Sequence, residues 1–590
     1  MEGIEVLDPY VERLLEGVAF LSARVQLELE LQYPSFTSNL LEIIFPHYLA
    51  PTPSMMIAAL DPDVSGTTLK NGYLLPRHTT LRARQMEGEQ TACEFRTSAD
   101  LTLWPIEISE AEYIDGRGEL VAAGVAGHSA ARAGIRLRLK RTDGEPISTL
   151  PMESLSLYLD NRGGNSWTLL ELLSTQALGL CGRSTDRRAD WAAPLHQGAV
   201  VQRGFDPEEA LLPTPRRSFD GYRLLQEYFA MPERFLFVEL QGLRPALQRA
   251  TGTDVDIYIL LEEGRRDVGQ MILDDVFSPN TVPAINLFPK RCDRVLVNPR
   301  DSEIHIVPSR TAAMDFEIHD LQSVVGISGS GGEDVVFRPF YSATDFTSAG
   351  ETHPAYYTIH RRMRQRSEKE RLRGVRTSYL GSEVYVTLVD RAQAPYRADL
   401  DQLAIEALCS NRDLPMLLAT GDAGVFSIPK GGPVKTINLP VSPTRPHPTL
   451  AQGDTAWRLI SHLSLNYLSI AESGRGEPAA ALRELVGLYA PLGDRVTEKQ
   501  LEGIVSVSSR PVVRRMSDEV LSTAVRGVEV TVGFDDSFFE GTSAYVLGAV
   551  LERFLRRHAT INSFTETVLR THNRGEIARW RPETGLGRTI

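Results

Sequence analysis

The sequence predicts an α+β protein of several subdomains, mostly antiparallel sheets, with helices at the N-terminus and in the C-terminal part. Three observations point there. Alternating apolar residues dominate between about residues 60 and 330, helical spacing is strongest near the two ends, and the chain is too long for one hydrophobic core. At 590 residues, three or four units of about 100 to 200 residues are expected. The expected divisions are an N-terminal helical segment over 1–60, a β-rich α+β region over 61–325, a β-rich middle domain over 326–450 and a C-terminal α/β domain over 451–590.

The elements follow in order. Asp8 and Pro9 read as a helix N-cap and first position, because the carboxylate accepts orphan amide protons and Pro has none to lose. Val11, Leu14, Leu15, Val18, Leu21, Val25 and Leu29 then recur at helical spacing, with Phe20 and Leu27 on another side, so this helix carries more than one apolar face. A second helix, about 36–44, ends in "FPHYLAPTP", since Pro46 disfavours helix before it. Strands are expected in "GIRLRLKRTDG", "SLSLYL" and "DVDIYILLEEG", with a helix in "GYRLLQEYFAM" stopped by Pro232. "GISGSGGED" and "PKGGPVKTINLPVSPTRPHP" have the composition of subdomain edges. Between them "SEVYVTLVD" reads as a strand. Asp454 caps a helix in "TAWRLISHLSLNYLSI", "VEVTVGF" alternates as a strand, and "TSAYVLGAVLERFLRRHA" closes as a helix in which Gly548 implies tight packing against a neighbour.

Composition bounds the function. A chain 42% hydrophobic and 24% charged is an ordinary globular protein, and a net charge of −13 disfavours coating nucleic acid or an anionic membrane. Cys93, Cys181, Cys292 and Cys409 lie far apart without a CxxC pair, which suggests neither a disulfide framework nor a zinc site and fits the reducing cytoplasm. No cleavable signal and no spanning apolar run is evident, so a soluble chain without direct membrane insertion is expected.

Motifs for chemistry are sparse. "GISGSGG" lacks the lysine of a phosphate loop and has Ser330 where a nucleophile elbow needs glycine; a bulged loop is the simpler reading. No histidine pair has metal-ligand spacing. His462 reads as a core or interface histidine, and Asp535 and Asp536, being adjacent, point to opposite faces of a strand. Their convergence in space is the enzyme alternative; otherwise no catalytic, cofactor-binding or metal residue is expected. The run from Arg361 to Arg376 holds eight basic and two acidic residues, Arg361, Arg362 and Arg364 among them. It reads as a solvated hairpin loop or an interface for an acidic partner, with nucleic acid the weaker alternative because no aromatic platform interrupts it.

Eight collinear segments then carry a resemblance: "DPYVERLLEGVAFLSARVQLEL", "FPHYLAPTPSM", "YRLLQEYFAMPERFLF", "NLFPKRCD", "FRPFYS", "NRDLP", "WRLISHLSLNYLS" and "LGAVLERFLRRHATINSFT". From end to end they resemble the TssF (VasA/ImpG) family of type VI secretion baseplate subunits. Family members normally carry a further helical segment ahead of "GIEV", and the resemblance implies that this chain lacks it. The resemblance implies an architecture similar to the wedge proteins of contractile phage tail baseplates and a structural role without cofactor. It further implies a wedge of two TssF copies with one TssG, which recruits TssK and TssE and supports the sheath on the VgrG spike, in the cytoplasm at an apparatus docked to the inner membrane. On that basis the candidate interface residues are Val11, Leu14, Leu15, Val18, Phe45, Tyr48 and Trp457, with Arg361, Arg362 and Arg364 of the basic run. One stripe of the first helix is expected to pack at home while the other, with the aromatic turn, meets a helix of a partner.

Overall fold

The structure is a computed structural model that describes residues 13, 17–24, 37–42, 45–125, 130–185, 191–194, 199–213, 220–269, 272, 275–298, 300–328, 334–340, 355–366, 376–390, 400–418, 424–451, 454–463, 479–491, 493–517, 522–559 and 563–585. Among the described residues, five larger sheets make the body. In the first, the order is Phe426–Ser427, Thr80–Ala83, Glu94–Thr97, Thr281–Ile285, Met55–Pro62, Val434–Asn438. The second runs Ala192–Pro194, Ala177–Arg183, Asp254–Leu261, Ala133–Arg141, Ile106–Asp115, and the third Val200–Gln202, Phe237–Gln241, Ser154–Leu159, Phe277–Ser278. These are antiparallel, and their alternating residues face a shared interior, as the pattern of Leu137, Leu139, Leu155, Leu157, Ile257 and Ile259 requires.

The fourth sheet is the largest: Phe288–Arg291, Leu400–Ser410, Glu317–Ser328, Val335–Pro339, Ala355–Met363, Ser382–Asp390, Ile304–Ile306. Its central strand runs straight through the division expected at residue 325. Glu317 pairs with Ser410 and Ser328 with Leu400, so "GIS" is strand, not boundary loop. Gly326 is needed there because a Cβ would lie 2.4 Å from Leu400 and 2.8 Å from Phe337. The glycine marks close packing inside a sheet. The other expected edge, near 429–448, likewise contributes Val434–Asn438 to the first sheet, beside Met55–Pro62.

The fifth sheet is C-terminal: Ile504–Ser517, Ser522–Phe534, Phe564–Thr571, Gly575–Arg579. Ser522–Phe534 and Phe564–Thr571 are parallel, and the helix Ala544–His558 makes the crossover that parallel strands need. Ser543 caps that helix by accepting from the Tyr545 amide. Gly548 faces Leu569, and a Cβ there would lie 2.9 Å from its side chain. The neighbour implied by that glycine is therefore a strand of the same chain. The largest hydrophobic cluster joins residues of the second and third sheets to Leu482, Tyr489, Val532, Leu551 and Phe554, so the C-terminal part shares a core with the N-terminal half. The fourth sheet has its own.

Candidate assembly surface

Helix 17–24 is exposed along its whole described length. Val18, Phe20 and Leu21 are 54%, 67% and 61% exposed, although each is a residue that folding normally removes from water. Val18 and Leu21, three apart, share one side, and Phe20 extends the apolar surface around the helix. Val11, Leu14 and Leu15 lie outside the described residues.

The aromatic turn is placed differently. Phe45 and Tyr48 are 3% and 0% exposed, so the expectation that this turn meets a partner is corrected. The reason is an aromatic cluster assembled from distant elements. Phe45 lies 5.5 Å from Tyr222 and 6.4 Å from Tyr489, Tyr48 meets Tyr489 edge-on at 5.9 Å, and Tyr222 stacks on Tyr489 at 5.5 Å and approaches Phe554 at 5.7 Å. The Tyr48 hydroxyl donates to the Leu488 carbonyl at 2.5 Å, and the Thr449 hydroxyl donates to the Tyr48 carbonyl at 2.9 Å. The prolines of "FPHYLAPTP" break helix so that these rings can turn inward. The turn is thus an internal staple.

The basic run begins as strand, not loop. Arg361, Arg362 and Met363 end the strand Ala355–Met363 and so belong to a sheet; residues 367–375 of the run lie outside the described residues. Arg361 donates to the Ile318 carbonyl at 2.6 Å and to that of His319. Arg362 pairs with Glu303 at 2.6 Å and lies over the Tyr385 ring. Arg364 meets Glu383 at 3.6 Å and the Met314 sulfur. Arg376 joins Asp413, Asp315 and Glu89 at 2.7, 3.1 and 2.8 Å. Arg361 and Arg364 are tied to residues beside or within the fourth sheet, Arg376 ties that region to Glu89 near the first sheet, and Arg362 pairs with Glu303 while staying exposed.

A cavity of about 210 Å³ lies where the turn meets the fourth sheet, lined by Glu42, His47, His319, Tyr357 and Arg361 among others. Burial pushes Glu42 up to about 7 and His47 down to about 4; burial, with the His47 and Arg361 charges, brings His319 down to about 3. His319 Nδ1 lies 3.0 Å from the Pro51 carbonyl, which sets the tautomer with Nδ1 protonated. The two imidazoles, 6.3 Å apart, are neutral and sit where the N-terminal segment joins the sheet.

The remaining candidates are dispersed. Trp457 is exposed on the helix Asp454–Leu463, beside an Arg458–Glu484 ion pair of 2.9 Å. The His462 side chain lies outside the described residues. Asp535 accepts from the Ser537 amide and hydroxyl at 3.0 and 2.7 Å, and Asp536 pairs with Arg574 at 2.9 Å, so both are local fasteners. Among the described residues no group of three or more His, Cys, Asp or Glu is arranged to hold a metal ion, and no helix is long and apolar enough to cross a membrane. Sequence reasoning missed the long strand Ile504–Ser517, whose valine alternation is interrupted by Pro511 and three arginines. The alternation in "VSVSSRPVVRR" was the available signal.

Comparison with known proteins agrees with this architecture. The family model for the type VI secretion system protein TssF matches residues 1–587. A relative from Pseudomonas aeruginosa, type VI secretion system component TssF1, is 46% identical over 592 aligned positions, 99% of this chain and 94% of the relative. A solved type VI TssK–TssF–TssG baseplate subcomplex contains a chain of similar fold, with TM-score 0.75, 24% identity and coverage of 97% of this chain and 98% of that one. A chain of a type VI baseplate complex is similar at TM-score 0.58, 22% identity, covering 98% and 92%. By a family match along nearly its full length and a relative of this closeness, the chain belongs to the TssF family of type VI secretion components.

Proposed function

We propose that this chain is a structural subunit of a type VI secretion baseplate that works through its surfaces and not by catalysis. It joins TssG and TssK, the proteins found with a chain of this fold in the solved subcomplex. Two copies meet one TssG, and the wedge so formed receives TssE, carries the sheath and surrounds the VgrG spike in the cytoplasm, against the apparatus docked at the inner membrane. The observation that carries the reading is the exposed helix 17–24, where Val18, Phe20 and Leu21 leave apolar surface uncovered by the rest of the described chain. Pairing with a partner helix removes that surface from water.

The test is co-expression with TssG and TssK of the same organism, followed by mass measurement of the purified complex. Two of these chains per TssG are expected, with a total interface above about 2,000 Å². Val18→Asp with Leu21→Asp is expected to weaken the complex while leaving the melting temperature of the free chain unchanged, because both residues are already in water. A chain that stays monomeric with TssG at micromolar concentration contradicts the proposal.

A further inference from the structure

The C-terminal sheet runs out beyond the helix that covers it. Ile504–Ser517 and Ser522–Phe534 pair from Ile504 opposite Phe534 to Ser517 opposite Ser522, whereas the third strand joins only from Val528 onward. At Gly527 a Cβ would lie 2.5 Å from the Phe564 carbonyl oxygen, so the third strand ends against that glycine. Beyond it, 512–517 and 522–527 form a two-stranded ribbon about 20 Å long at ~3.3 Å per residue. Facing residues share a side. Val507 with Val532 and Ser509 with Val530 lie on the core side, where the valines are buried. That side continues outward through Pro511 with Val528, Val513 with Arg526, and Arg515 with Ala524. There the cover stops: Pro511, Arg515, Ala524 and Arg526 are exposed, and Val513 is 58% exposed.

The two sides differ in charge balance. On the other side Arg510 pairs with Glu529 at 2.6 Å and Arg514 with Glu566 at 2.9 Å. Arg515 and Arg526 make no ion pair among the described residues, so two free guanidinium groups flank Val513 at the outer end of the apolar stripe, Arg526 across from it and Arg515 beyond it. A two-stranded ribbon is marginally stable alone and needs packing on one side to persist. Its free edge is a poor place to find it, because Pro511 lacks the N–H that an added strand must bond.

We propose that this ribbon is a docking arm for an acidic amphipathic helix of a partner subunit. The helix lies across Pro511 and Val513, continuing outward the cover that Ala544–His558 gives the inner part of the sheet, and sets carboxylates against Arg515 and Arg526. The inference rests on the assembly reading above. Its test compares amide hydrogen exchange across 510–527 in the free full-length chain and in the complex with TssG and TssK. Exchange is expected to slow at least about tenfold on assembly, and Arg515→Glu with Arg526→Glu to weaken assembly about tenfold or more, each tenfold being about 1.4 kcal/mol. Arg515→Lys with Arg526→Lys keeps the charge and should assemble normally, and all variants should melt as the native chain does. If the native complex forms but the ribbon exchanges at its free rate, the arm is overturned and the assembly reading stands; if no complex forms, both fall. Salt-sensitive binding of a single-stranded oligonucleotide by the free chain, lost in the glutamate variant, would also overturn it, since the arm would then serve nucleic acid.

Discussion

At the scale of single residues, Tyr48 shows how an apolar turn can be misread as a contact surface. Its hydroxyl bond to Leu488 is buried, so Tyr48→Phe is expected to cost about 1 kcal/mol and Tyr48→Ala about 3 to 5 kcal/mol, read from denaturant midpoints. The sequence carried the apolarity of "FPHYL" but not the positions of Tyr222, Tyr489 and Phe554, which come from far along the chain. The histidine cavity makes a pH prediction. His47 and His319 have folded values below the ordinary 6.5, so the unfolded chain takes up protons first, and the stability they contribute, full above about 6.5, is lost as pH falls toward 4. Glu42 acts oppositely: raised from 4.5 to about 7, it contributes below 4.5 and loses that contribution as pH rises through 7. The His47→Gln, His319→Gln double variant should therefore show a shallower rise in melting temperature from pH 4.5 to 6.5 than the native chain. Glu42→Gln should steepen it; equal slopes in all three proteins would remove the cavity from the pH response.

At the scale of elements, periodicity located what local patterning can locate. "GIRLRLKR", "DVDIYILL" and "SEVYVTLVD" are the strands Ala133–Arg141, Asp254–Leu261 and Ser382–Asp390, and the closing helix spans Ala544–His558. Glycine composition misled at Gly326, because a glycine that admits Leu400 and Phe337 inside a sheet looks, in sequence, like one that bends a loop. Gly548 was legible because helix interiors seldom tolerate glycine without a packing reason. Gly548→Val is expected to cost about 1 to 3 kcal/mol despite better helix propensity, since its side chain must displace Leu569. A denaturation midpoint equal to that of the native chain would mean the helix and strand can part at no cost.

At the scale of the whole molecule, the order of segments in sequence is not their order in space. Val434–Asn438 closes a sheet begun by Met55–Pro62, and the C-terminal helix shares a core with the N-terminal half. No composition shift announces such interleaving, which is why the division drawn at residue 325 falls inside the strand Glu317–Ser328. Family membership was legible because collinear segments survive where individual contacts are invisible. The candidate surface was legible only in part: Val18 is exposed as a docking residue must be, while Phe45, Tyr48 and Arg361 serve the interior or the sheet.

The Tyr48 to Leu488 bond spans 440 positions of sequence. A ribosome adding about 5 to 20 residues per second needs roughly 20 to 90 s to cover that distance. Tyr222 is made partway through that wait, but until Tyr489 and Phe554 follow the nascent N-terminal turn has only part of its cover, so biosynthesis in the cell should depend on a holding chaperone, and prematurely terminated products should be rapidly degraded.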